Sequence, residues 1–141
     1  SNSIHYSKDG SDLSRSDVVV VVVGEKPYSE GVGDRDSLHL SDEDLKLLKK
    51  VKNSNLPYVV ILISGRPMII NEVIDDSDAF IAAWLPGTEG LGISDVMFGD
   101  FDFTGRLSMT WPKSMKQIPI NYGDNNYDPL FKFGFGLSYN K

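Results

Sequence analysis

Cysteine is absent from the 141 residues. Disulfide frameworks, thiolate metal sites and cysteine nucleophiles are thereby excluded. Histidine is scarce: His5 and His39 are the two in the chain, and neither has a partner at metal-ligand spacing. The apolar stretches, at 18–23, 58–63 and 79–84, are all far short of the ~20 residues with which a helix crosses a bilayer. Positive charge is in deficit, 14 Lys and Arg against 20 Asp and Glu, for a net charge of −6. Phosphate backbones are held by the opposite balance, so neither a nucleic acid nor a membrane is an expected partner. The acidic residues lie between apolar runs rather than in a tail, and 40% of the chain is hydrophobic, which suffices for one core. The stretch 1–15 is polar throughout and is expected to be a leader to one domain over 16–141, with no signal-peptide pattern.

What is present alternates. Six consecutive valines at 18–23, stopped by Gly24, suit a parallel strand covered on both faces. Ser41 followed three residues later by Asp44 forms a capping box, with acids at the positive end of the helix dipole. Leu45, Leu48 and Val51 continue that helix at its own period, lysines gather toward its end, and Asn53 stops it. The stretch 58–63 predicts a second strand, 67–74 a short helix, 79–84 a third strand, and 88–98 a helix closed by Gly99. Alternation of this kind builds a parallel sheet through right-handed crossovers. Beyond it, 105–111 alternates at period two and 131–139 alternates aromatics with glycine. These predict peripheral, antiparallel strands joined by an irregular loop over 113–129. The expected fold is an α/β three-layer sandwich with a mainly parallel sheet and peripheral C-terminal strands.

Ligands of open parallel sheets bind beyond the carboxyl ends of the strands. Three segments form that rim: 24–34, 64–67 and 84–90. The first carries Glu25, Tyr28, Glu30 and Asp34 on a glycine-rich loop, longer than the ~2–6 residues usual for such connections. Carboxylates beside an aromatic suit a polar, uncharged ligand such as a sugar. The loop lacks the Gly-Lys-Ser/Thr ending of a phosphate loop and the glycine pattern of a dinucleotide turn, and the chain has no Gly-x-Ser-x-Gly elbow. A flavodoxin-like nucleotide or signalling domain shares the alternation but is disfavoured by this acidic rim. The residues alone therefore reach an α/β domain with an acidic rim loop, and neither a cofactor nor a metal is expected.

Taken in order, the rim segments go further. Val-Gly-Glu-Lys-Pro-Tyr-Ser-Glu-Gly-Val-Gly-Asp (23–34), Leu-Ile-Ser-Gly-Arg-Pro (62–67), Ala-Ala-Trp-Leu-Pro-Gly-Thr-Glu-Gly (82–90), Asp-Val-Met-Phe-Gly-Asp (95–100), Thr-Gly-Arg-Leu-Ser-Met-Thr-Trp-Pro (104–112), Tyr-Asp-Pro-Leu-Phe (127–131) and Phe-Gly-Phe-Gly-Leu-Ser-Tyr (133–139) resemble the C-terminal domain of family 3 glycoside hydrolases. The likeness is strongest to the exo-β-glucanase and β-glucosidase branch. It implies a retaining hydrolase with an Asp nucleophile on an N-terminal barrel and a Glu acid/base on this domain's rim loop. By position in the motif that Glu is Glu30, with Glu25 as second choice. By their places on the rim, Glu25, Asp34 and Arg66 read as residues that support the loop or bind substrate, and Tyr28 stands between stacking a sugar and packing the loop. Trp84 reads as core.

The barrel is absent from the chain, as is the first part of the domain with its Gly-Gly-Trp stretch. The implied partners are a β-gluco-oligosaccharide or aryl β-glucoside and the barrel domain of the same enzyme, with self-association of the uncovered piece. Family members are often secreted or periplasmic, but the chain carries no address. The rival function is a carbohydrate-binding or scaffolding module that kept the fold and lost the chemistry.

Overall fold

The computed structural model describes residues 3–139; Ser1 and Asn2, part of the expected leader, and Asn140 and Lys141 lie outside them. Three parallel strands, β1 (Val19–Gly24), β2 (Tyr58–Ile63) and β3 (Ala79–Trp84), stand in the order β1-β2-β3. Between β1 and β2 runs α1 (Asp42–Lys52), between β2 and β3 runs α2 (Asn71–Asp76), and after β3 comes α3 (Gly90–Phe98). The expected α/β sandwich with a parallel sheet is what the chain forms.

α1 begins where its capping box places it. The Ser41 hydroxyl accepts from the Asp44 amide at 3.1 Å and donates to the Asp44 carboxylate at 2.8 Å. Its Leu48 and Val51 are buried and join Val73 of α2 against Val21, Val23, Tyr58, Val60 and Leu62 of the sheet. Phe80, Ala82 and Trp84 of β3 pack onto the same cluster, so by strand alternation Ile81 and Ala83 face the other way. There they line a cleft with Ile93 and Val96 of α3. The second face is covered unevenly: Ile61 at its centre is buried, but Val18, Val20 and Val22 are exposed.

Two segments depart from their predicted bounds by more than two residues. The helix expected at 67–74 forms at Asn71–Asp76 instead. The preceding residues stay extended because Met68 and Ile70 are drawn into the core while Ile69 bridges His39 in parallel. The two C-terminal segments do meet antiparallel, but as a bridge between Trp111 and Phe131 rather than a full ladder. The Leu107 amide donates to the Phe135 carbonyl at 2.8 Å and the Gly134 amide to the Leu107 carbonyl at 2.8 Å. This segment delivers Trp111, 1% exposed, into the core, where its ring meets Phe80, Trp84 and Phe131.

Candidate active-site rim

β1 closes against β2 so tightly that Gly24 has no room for a side chain: a Cβ there would fall 2.0 Å from the Ile63 carbonyl oxygen. The Glu25 amide extends the ladder by one bond, donating to that same oxygen at 3.0 Å. The chain then leaves the sheet, and the Glu25 side chain turns inward until only 3% of it is exposed.

A buried carboxylate is stable only if its lone pairs are filled, and those of Glu25 are. Arg66, which follows β2, donates to Oε1 from Nε at 3.1 Å and from Nη2 at 2.8 Å. Arg35, at the far end of the loop, donates to the same oxygen. The Tyr28 hydroxyl donates to Oε2 at 3.3 Å. Arg66 also ties down the loop backbone, with Nη2 donating to the Gly33 carbonyl at 2.8 Å. The hydrogen bond to Glu25 raises Arg66 above its ordinary value, with Tyr28 and Asp34 adding to the effect, so the guanidinium remains a fixed positive charge.

Tyr28 is held from several sides. The Arg66 guanidinium lies 4.6 Å from its ring centroid, and a Cβ on Gly33 would meet the ring at 2.3 Å. The first of these contacts is a cation–π arrangement. With the guanidinium over the ring, the contacts made within this chain pack Tyr28 into the loop.

Glu30 sits differently. It lies at the tip of the loop, where Gly33 donates to the Ser29 carbonyl at 2.9 Å and Asp34 to the Gly31 carbonyl at 3.1 Å. Gly31 takes φ +76° to make that turn, a conformation that glycine adopts without steric cost. The Glu30 residue is exposed. Asp34 is exposed as well; its amide closes the turn and its charge adds to the upward shift of Arg66. The structure thus gathers Glu25, Tyr28, Arg35 and Arg66 into one cluster, sets Asp34 at its edge, and leaves Glu30 outside it. The Arg66 contact spans 41 residues, beyond the reach of any local pattern.

A profile of the glycosyl hydrolase family 3 C-terminal domain matches residues 4–139. The chain belongs to this family. Among solved structures it is similar to a variant of the exo-1,3/1,4-β-glucanase of a Pseudoalteromonas species, with 46% identity, a TM-score of 0.88, and 94% of this chain matched to 23% of that one. It is similar also to the β-glucosidase of Listeria innocua in complex with isofagomine, with 30% identity, a TM-score of 0.81, and 90% of this chain matched to 21% of that one. Among curated relatives, a β-xylosidase of Formosa agariphila is 35% identical over 95% of this chain and 21% of its own length. The periplasmic β-glucosidase of Salmonella typhimurium is 32% identical over 89% and 19%. The chain therefore spans about a fifth of each of these relatives, as a partial C-terminal domain.

Proposed function

We propose that this chain supplies the general acid/base of a retaining, exo-acting β-glucosidase whose nucleophile comes from an N-terminal barrel. The observation that carries the proposal is the division of labour between two carboxylates of one loop. Glu25 is enclosed, its oxygens committed to two arginines and a tyrosine. Glu30, five residues on, stands exposed at the tip, at the carboxyl end of the sheet. A general acid must reach the glycosidic oxygen, and a retaining site sets it ~5–5.5 Å from the nucleophile across the bond. Of the two, the exposure of Glu30 supports assigning it that role. Glu25, Arg35, Arg66 and Tyr28 then act as the scaffold that fixes the loop.

Glucose is favoured over xylose as the released sugar, because the 46% identical structure is an exo-β-glucanase while the β-xylosidase is 35% identical. The implied substrates are β-gluco-oligosaccharides and aryl β-glucosides.

In the complete enzyme, Glu30→Gln is expected to lower kcat on an oligosaccharide by about 10²–10⁴-fold. An aryl glucoside with a good leaving group, which needs little protonation, should lose much less. Equal losses on the two substrates would remove Glu30 from the role. The 141-residue chain alone is expected to release no nitrophenol from an aryl β-glucoside, since a retaining site needs both carboxyl groups.

A further inference from the structure

The loop over 113–129 has almost no regular structure, yet its own polar groups pin it. The Lys113 ammonium pairs with the Asp128 carboxylate at 2.7 Å. The Gln117 side chain accepts from the Lys113 amide at 2.6 Å and donates to the Asp128 carbonyl at 2.9 Å. Farther along, the Asp124 carboxylate accepts from the Asn121 amide at 2.7 Å, and the Asp124 amide donates to the Asn121 carbonyl at 3.1 Å. A closed turn thus carries Tyr122 and Gly123. The Tyr127 hydroxyl lies 3.1 Å from Thr110 Oγ1 and accepts from the Phe133 amide at 2.9 Å, which ties the loop to the segment that follows it.

What this scaffold presents to water is aromatic. Tyr122 is 76% exposed and Phe133 52%. Their ring centroids lie 5.9 Å apart with the planes inclined by 37°, and Tyr127 stands edge-on to Tyr122, centroids 6.0 Å apart. The three rings hold one another in place while the first two stay open to solvent. Rings that served the core would be hidden, as Trp111 is. An exposed apolar patch on a fixed support marks an interaction site, and a support fixed beforehand lowers the cost of ordering it on binding.

The neighbouring residues indicate the ligand. Between Tyr122 and Tyr127 stand Gly123, Asp124, Asn125 and Asn126, all exposed, with no aliphatic side chain among them. Protein interfaces set aromatic rings beside methionine and arginine. Amides beside an aromatic ring suit a pyranose instead, whose C–H face packs on the ring while its hydroxyls exchange hydrogen bonds with the amides. The net charge of −6 places an uncharged polymer ahead of an acidic one.

We infer that Tyr122 and Phe133 form a platform on which a neutral β-glucan chain stacks. The choice of glucan rests on the β-glucosidase reading above; the platform itself rests on the loop.

The test runs the complete enzyme and its Tyr122→Ala, Phe133→Ala and Tyr122→Phe variants in gels containing a soluble mixed-linkage β-glucan. The parent should be retarded, and each alanine variant should need about three- to tenfold more glucan for the same retardation. Tyr122→Phe, which keeps the ring, should run with the parent. The ratio of kcat/KM on the glucan to that on an aryl β-glucoside should fall by a similar factor in the alanine variants. Absence of retardation in the parent, or retardation that survives both alanine substitutions, overturns the inference, as does an equal loss on polymer and aryl glucoside. Urea midpoints of the alanine variants should stay close to the parent's. A midpoint lowered as far as by Trp111→Ala would place the rings against another part of the protein, and would overturn the inference too. Failure of the parent to release glucose from the glucan removes the reading of its substrate, while retardation still decides the platform.

Discussion

Arg66 and Glu25 are joined by two hydrogen bonds although 41 residues separate them, and through them the loop after β1 is fastened to the end of β2. Neither guanidinium of the cluster is fully enclosed: the Arg66 side chain is 25% exposed and that of Arg35 40%. Solvent therefore shares the cost of unpairing them.

Glu25→Gln is accordingly expected to cost about 1–3 kcal/mol, short of the ~3–5 kcal/mol of a fully buried broken pair. The loss should be local. Hydrogen exchange at the Gly33 and Asp34 amides, which close the turn around Glu30, should accelerate more than exchange in β2. Uniform acceleration throughout the chain would show that the cluster holds the whole fold rather than the loop.

Trp111 fastens the C-terminal segment to the sheet. It is 1% exposed and its indole N–H donates to the Met68 carbonyl at 2.8 Å. Trp111→Phe retains an aromatic ring but strands that carbonyl, at a cost of about 1–3 kcal/mol. Trp111→Ala also opens a cavity among Phe80, Trp84 and Phe131 and should cost about 3–5 kcal/mol. Urea titration of the three proteins orders them; equal midpoints for Phe and Ala would assign the whole effect to the hydrogen bond.

Burial pushes the Tyr58 phenol above its usual value of 10.0, with the nearby Asp76 charge acting in the same direction. The folded state thus holds the Tyr58 proton more tightly than the unfolded chain does. That contribution to stability is fully present below the unfolded value and disappears as pH rises through the raised folded one. Stability should therefore fall on the alkaline side, above about pH 10, and Tyr58→Phe should flatten this limb. An unchanged alkaline slope in the variant would place the titrating group elsewhere.

Val18, just before β1, and Val20 and Val22 on one face of it are 53%, 42% and 57% exposed, and among the described residues β1 pairs with β2 alone. A bare apolar face on an edge strand favours association. The isolated chain is expected to self-associate as its concentration rises in sedimentation velocity, and Val20→Lys with Val22→Lys should return it to monomer. A monomeric parent at high concentration would mean that the face is tolerated by water.

β1 and β2 were legible in the sequence because β-branched runs bounded by Gly24 and Pro57 leave little else to form, and β3 because a short apolar run stops before Pro86. The start of α1 was legible because Ser41 and Asp44 solve a local hydrogen-bonding problem. The start of α2 was not: Pro67 signals a helix, but Met68 and Ile70 are pulled into a core that only the folded chain possesses. The rim was found from the order of its motifs, yet the enclosure of Glu25 depends on Arg66, and the left-handed turn at Trp84 (φ +55°) depends on anchors at Ser64 and Trp111. Interactions of that range have no local sequence signature.

The order β1-β2-β3 has a consequence for how such a domain can grow. Every strand pairs with its immediate neighbour in the chain, so no later strand is threaded between earlier ones. A further strand-and-helix unit can be added beside β1, over the valines already bare there, without breaking a single existing pairing. The sheet is modular at its margin: its interior is committed, and its outer edge accepts extension as a ladder accepts another rung.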